Sequence, residues 1–243
     1  MPSTSEVGHA KNVANFQDLI EFVTGYGITY NPSKSSLILS NLIALKAAAD
    51  DNLTDVVSKN TNYNNKGNER IAAFSGLKAF STRLVNALQT TDATDETIKD
   101  AKGFNRKLQG KKASSTQTPT DPNAPVPNTI STSQQSYDQL IQHLGGLNSV
   151  LEAEPSYTPN ETDLQVKTIQ TKIADLTAKN TAVATAYTNI SNSRIARNET
   201  LYSTTTGLVE TANEVKKYVK SVFGASSPQF AQVKGIEFKK PKI

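Results

Sequence analysis

Tyr63-Asn64-Asn65-Lys66-Gly67-Asn68-Glu69-Arg70-Ile71-Ala72 and Tyr187-Thr188-Asn189-Ile190-Ser191-Asn192-Ser193-Arg194-Ile195-Ala196 share the pattern Tyr-x-Asn-x-x-Asn-x-Arg-Ile-Ala at an offset of 124 residues. Working outward, Leu77 answers Leu201 and Leu84-Val85 answers Leu208-Val209 at the same offset. Tyr30-x-Pro32 with Leu37 matches Tyr157-x-Pro159 with Leu164 at 127, Phe16–Ile20 matches Tyr137–Ile141 at 121, and Lys102-Gly103-Phe104 matches Lys234-Gly235-Ile236 at 132. Landmarks in one order with slowly drifting offsets indicate a duplication, and a repeat governs the whole architecture. The reading is a first repeat over 1–112, a linker over 113–135 and a second repeat over 136–243. The linker is rich in Ser, Thr, Gln and Asn and holds Pro119, Pro122, Pro125 and Pro127, which disfavour helix.

Within each repeat the apolar spacing is helical. Leu45, Ala49, Asn52, Val56, Lys59, Tyr63, Lys66, Arg70, Ala73 and Leu77 form one stripe; Ile169, Ile173, Leu176, Asn180, Val183, Tyr187, Ile190, Arg194 and Leu201 form the other. Steps of three and four are the mark of helices packed side by side as in coiled coils. Each stripe has a polar middle, so either a long helix runs through or the chain turns back near 60–68 and 189–192. Between Asn160 and Thr206 there is neither glycine nor proline, which favours long helices, bent or broken near Ser75-Gly76 and Thr204–Gly207. Asn31 with Pro32, and Thr158 with Pro159, read as their capped starts. Shorter helices are expected over 15–24, 136–144 and 93–108, with one from Ser227-Pro228. No run alternates with period two. The predicted fold is all-α: an internally duplicated, elongated helical bundle with long coiled-coil-like helices and pseudo-twofold symmetry.

Hydrophobic residues make up 36% of the 243, with no Trp and no Cys, so the core is thin and disulfides and thiolate metal sites are excluded. The N-terminus has no basic or apolar signal region, and no stretch reaches the roughly 18 apolar residues of a membrane span. A cytoplasmic location is expected, which leaves the sequons at Asn52, Asn160, Asn189 and Asn198 without meaning. Net charge is +4. The basic residues gather as Arg106, Lys107, Lys111 and Lys112 after the first repeat and Lys239, Lys240 and Lys242 after the second, as solvated ends or as contacts for phosphates or an acidic partner.

Catalytic signatures are missing. His9, placed in a flexible end, and His143, on a helix flank, have no companion at a metal-ligand spacing. There is no phosphate-binding glycine loop and no nucleophile elbow. Glu152 with Glu154, and Asp50 with Asp51, read as solvated charges rather than an acid–base pair. No catalytic residue, cofactor or metal is assigned. The duplicated block is the candidate contact: Tyr63, Asn65, Asn68, Arg70, Tyr187, Asn189, Asn192 and Arg194. There, antiparallel helices would bring each arginine to an asparagine of the other repeat or to Glu69. The block reads either as a ligand or subunit contact or as a polar seam fixing register.

The segments Gly8-His9-Ala10-Lys11-Asn12-Val13-Ala14-Asn15-Phe16, Tyr30-Asn31-Pro32-Ser33-Lys34, Arg106-Lys107-Leu108-Gln109-Gly110-Lys111 and Ser193-Arg194-Ile195-Ala196-Arg197-Asn198-Glu199, with Lys220-Ser221-Val222-Phe223-Gly224, carry a resemblance. They resemble a family of uncharacterised proteins of this length from Bacteroidota-type bacteria. The resemblance covers nearly the whole chain and implies a soluble bacterial protein; it brings no activity and no residue roles. Three functions remain in order: a structural protein that associates with itself, a nucleic-acid-associated protein using its basic ends, and a small-molecule binder between the repeats.

Overall fold

The computed structural model describes residues 4–110 and 135–240. The expected linker, apart from Gln135, therefore lies outside the described residues, as do Lys111, Lys112 and Lys242. Every regular element described is helical: α1 (Thr4–Gly25), α2 (Leu39–Phe74), α3 (Leu77–Leu88), α4 (Asp95–Leu108), α5 (Tyr137–Ala153), α6 (Val166–Tyr202), α7 (Leu208–Phe223) and α8 (Pro228–Lys234), with short 3-10 turns at Gly27–Thr29, Ser35–Leu37 and Thr162–Leu164. The long helices are continuous through their polar middles: α2 has 36 residues and α6 has 37. They break where the glycines predicted. Gly76 adopts φ +76°, a left-handed conformation that costs a side-chain-bearing residue. Gly207 has ordinary dihedrals but sits so close to the Ser203 backbone that a Cβ would lie 2.5 Å from it.

Two compact units result, and neither is one half of the sequence. Unit 1 comprises Met1–Tyr63 with Ala186–Ile243; unit 2 comprises Asn64–Thr185. Unit 1 therefore holds α1, the start of α2, the end of α6, α7 and α8. Its core joins Phe16, Leu19, Ile20 and Val23 of α1 and Leu42 and Ala49 of α2 to Leu201, Leu208, Ala212, Val215, Val219 and Val233. Unit 2 holds the end of α2, α3, α4, α5 and the start of α6. Its core joins Leu77, Leu84, Val85 and Leu88 of α3 and Ala101 and Leu108 of α4 to Leu144, Leu147 and Leu151 of α5 and Ile169 and Leu176 of α6. On α2 the buried positions are Leu42, Ala49 and Val56; on α6, 127 residues further along, they include Ile169, Leu176 and Val183. A strict seven-residue step places one residue of every second turn on the packing seam.

The capped starts of the long helices differ from expectation. Pro32 and Pro159 do not open α2 and α6, which begin seven residues after each proline. The first i→i+4 bonds run from Leu42 N–H to Ile38 O and from Ile169 N–H to Gln165 O, so the cap positions are Ile38 and Gln165. Tertiary contacts override the local capping signal here. The Tyr30 hydroxyl donates to Leu37 O (2.7 Å) and that of Tyr157 to Leu164 O (2.9 Å), holding each 3-10 turn with its leucine buried. Burial raises the pKa of both phenols, Tyr157 to about 12, with Glu161 and Asp163 adding to its shift and Tyr218 to that of Tyr30. Side-chain caps stand instead at Thr94, Ser136 and Ser227, whose hydroxyls accept from Thr97, Gln139 and Phe230 N–H groups. Helices α1 and α5 run well beyond the expected 15–24 and 136–144.

Candidate functional site

The duplicated block is split between the units, and its members part company. In unit 1 the rings of Tyr63 and Tyr187 meet at 5.9 Å between centroids, tilted by 55°. In unit 2, Arg70 donates to Asn180 Oδ1 at 3.0 Å and lays its guanidinium over the Tyr137 ring at 4.0 Å. Asn180 in turn donates to Asp138 (2.7 Å), and Tyr137 packs edge-on against Phe74. The Arg70 Nε is buried without a hydrogen-bond partner. Beside it, Glu69 accepts from Lys66 at 2.7 Å and Lys179 at 3.0 Å. These bonds, that of Lys66 first, hold the Glu69 carboxyl below its ordinary pKa, and Glu69 raises that of Lys179.

Arg194 is not on the buried stripe. It is exposed, as are Asn65, Asn68, Asn189 and Asn192, whereas Arg197 is 5% exposed. The reason is register. Counted in sevens from the buried Val56 and Val183, the packing stripe reaches Arg70 and Arg197, not Arg194. The sequence block aligned at 124 is one helical turn away. A seven-residue count from Val56 to Arg70 and from Val183 to Arg197 carries this signal; the more conspicuous Tyr-x-Asn-x-x-Asn-x-Arg match hides it.

His9 does not lie in a flexible end. It is 3% exposed within α1, its Nδ1 is 2.5 Å from the Tyr202 hydroxyl, and the two rings meet at 5.5 Å, tilted by 51°. Asn12, also buried, donates to the same hydroxyl at 3.2 Å. His143 is likewise buried, its Nε2 has no hydrogen-bond partner, and burial followed by the charge of Lys107 lowers its pKa. Of the basic residues, Arg106 and Lys107 close the last turn of α4, where cations complement the helix dipole. Lys239 and Lys240 lie on an exposed extended segment, Lys239 paired with Glu237 at 3.2 Å. Glu154 is tied into a turn by the Ser156 N–H and hydroxyl, which lower its pKa, and Glu152 accepts from Gln170.

Unit 2 has a cleft of about 360 Å³ where the end of α3 (Ala87, Thr90, Thr91, Asp92) faces the turn Ser156–Glu161, and unit 1 has one of about 420 Å³ between α1 and α2, lined by residues including Val13, Gln17, Lys46 and Asp50. Among the described residues there is no group of three His, Cys, Asp or Glu that could hold a metal ion, and no helix is long and apolar enough to cross a membrane. Compared with known proteins, the chain matches no family model, no curated protein and no solved structure.

Proposed function

We propose that the chain is a non-enzymatic helical scaffold subunit that associates with copies of itself. One observation carries the reading: large apolar side chains stand on its surface. In unit 1, Ile28 is 99% exposed, Val57 66%, Ile195 65%, Tyr187 59% and Ile43 52%; in unit 2, Ile71 is 59% exposed. Single exposed apolar residues are ordinary. Several on long helices that otherwise turn polar groups outward are a burial reserve that a neighbouring copy can use.

The duplication belongs to the same reading, as an arrangement in which each unit draws elements from both repeats. The matched Tyr30–Leu37 and Tyr157–Leu164 bonds support it. So do the paired contacts of Tyr202 with His9 and of Phe74 with Tyr137, each joining the end of a long helix to the first helix of one proposed repeat. The test is light scattering with negative-stain microscopy across protein and salt concentration, on the wild type and on Val57→Lys with Ile195→Lys. Wild-type particles larger than one chain, reduced in mass by the lysines, are expected. A wild type that stays monomeric throughout overturns the reading.

A further inference from the structure

The C-terminal segment of unit 1 is held as a bound peptide would be. After the turn at Gly235 the chain continues without helix over 236–240, half-burying Ile236 and Phe238 against the unit 1 core while Glu237, Lys239 and Lys240 face water. That alternation is the pattern of an extended strand with one face seated. Its backbone is gripped by side chains from two helices. Asn15 of α1 donates to Glu237 O at 2.6 Å. Asn12 donates to Lys239 O at 2.7 Å and accepts from Lys239 N–H at 3.0 Å. Lys216 of α7 donates to Ile236 O. The Asn12 amide is fixed in this orientation because its donor must meet a carbonyl and its acceptor an N–H; the second donor reaches Tyr202. Phe238 meets the fully buried Phe16 edge-on at 6.5 Å and lies 5.1 Å from the Lys216 ammonium.

None of these contacts uses the side chains of Glu237 or Lys239, and none depends on covalent continuity through Gly235. A paired main-chain grip with apolar seats for alternate side chains is how proteins take up extended peptides. The segment known to fit is carried by every copy of the chain. We infer that the groove between α1 and α7 is a peptide-binding site whose partner is the C-terminal segment of a second copy, exchanged for the chain's own. This rests on the scaffold reading and gives it a head-to-tail contact, one that propagates because donor and acceptor are different surfaces.

The test uses the full chain with Ile236→Ala and Phe238→Ala, which frees the groove, and a fluorescein-labelled peptide of the sequence Gly235–Lys240, followed by fluorescence anisotropy. The wild-type peptide should bind. Its Lys239→Ala form should bind within twofold, because that side chain faces water. Its Lys239→Pro form should bind at least tenfold more weakly, because proline lacks the N–H that Asn12 accepts. No binding, or equal binding of the alanine and proline peptides, overturns the site. For the exchange, Lys239→Pro in the otherwise unchanged full chain should lower the particle mass seen by light scattering. Unchanged particles overturn the exchange and leave the scaffold reading on other contacts. A wild type that is monomeric at every concentration overturns both, even where the freed groove still captures the peptide.

Discussion

Unit 1 and unit 2 share a helical frame and close it with different chemistry. Helix α1 of unit 1 and helix α5 of unit 2 bury residues at the same spacing, Phe16, Leu19 and Val23 in the one and Leu144, Leu147 and Leu151 in the other. Four residues before these sets stand Asn12 and Leu140. On the helix opposite, Lys216 of α7 holds the position that Val85 has in α3, counted from the starts of the two helices. Unit 2 fills this region with apolar side chains and with the 14-residue α4, whose Phe104 presses on α5 so closely that a Cβ on Gly146 would lie 2.2 Å from its ring. Unit 1 has a seven-residue α8 and a strap whose backbone polar groups need partners, which Asn12, Asn15 and Lys216 supply. One frame can therefore be finished by helix interlock or by a strap. Only the strap leaves a surface that another chain could occupy.

The largest expected effect tests whether the strapped unit is as dependent on its core as the interlocked one. Phe16→Ala removes a fully buried ring and the support of Phe238, and should lower stability by about 3–5 kcal/mol. Leu144→Ala in unit 2 should lower it by about 2–5 kcal/mol. Urea unfolding followed by circular dichroism measures both. A Phe16→Ala chain unfolding near the wild-type midpoint would show that the α1 core does not hold unit 1.

Next come the two helix breaks, one in each unit, which need glycine for different reasons. Gly207→Ala drives a methyl into the Ser203 backbone, which can yield only by moving the α6–α7 junction, and should cost about 1–3 kcal/mol. Gly76→Ala meets no neighbour and pays only for its φ of +76°, about 1–2 kcal/mol. Gly76→Asn, which tolerates that conformation better, should recover part of the loss. The corresponding asparagine at 207 should recover none, a contrast that thermal melts of the four variants resolve.

Arg70→Ala should cost about 1–2 kcal/mol, from the loss of its stacking on Tyr137 and its bond to Asn180. Arg194→Ala should be neutral within about 0.5 kcal/mol, as an exposed position allows. Equal losses for the two would mean that Arg194 is packed as tightly as Arg70, against its exposed position.

That last comparison shows where the sequence was legible. The long helices and their glycine breaks could be read because each rests on local chemistry: an apolar period, and a glycine where a side chain would be strained or would clash. The starts of α2 and α6 could not, because distant burial of Leu37 and Leu164 decides them. Arg70 was legible as a charge on an apolar stripe. Arg194 was placed on the stripe because identity of residues outweighed the seven-residue step, which reaches the buried Arg197. The mixed make-up of the units was hidden since a repeat in sequence does not say which repeat its helices pack upon. Asn12 and Asn15 gave no signal at all: their partners are backbone groups more than two hundred residues away, whose identity leaves no trace in the side chains.

The smallest effect concerns pH and separates the buried histidines. His143 lies in unit 2 with an unpartnered Nε2, and burial, reinforced by Lys107, lowers its pKa from the ordinary 6.5. The unfolded chain then binds this proton more readily than the folded one, so the contribution is complete above pH 6.5 and is lost as pH falls towards and through the lowered folded value. The wild type should therefore lose stability between pH 7.5 and 5, to which surface carboxylates also contribute near the lower end. His143→Leu removes the titration and the unpartnered nitrogen together, so its urea midpoint should fall less over the same interval and should exceed that of the wild type at pH 5. Parallel pH profiles for the two chains would mean that His143 keeps its proton balance on folding. The interlock of α4 on α5 would then be wet enough at this point to solvate an imidazolium, and the contrast with the strapped unit would narrow to Phe104 and Gly146 alone.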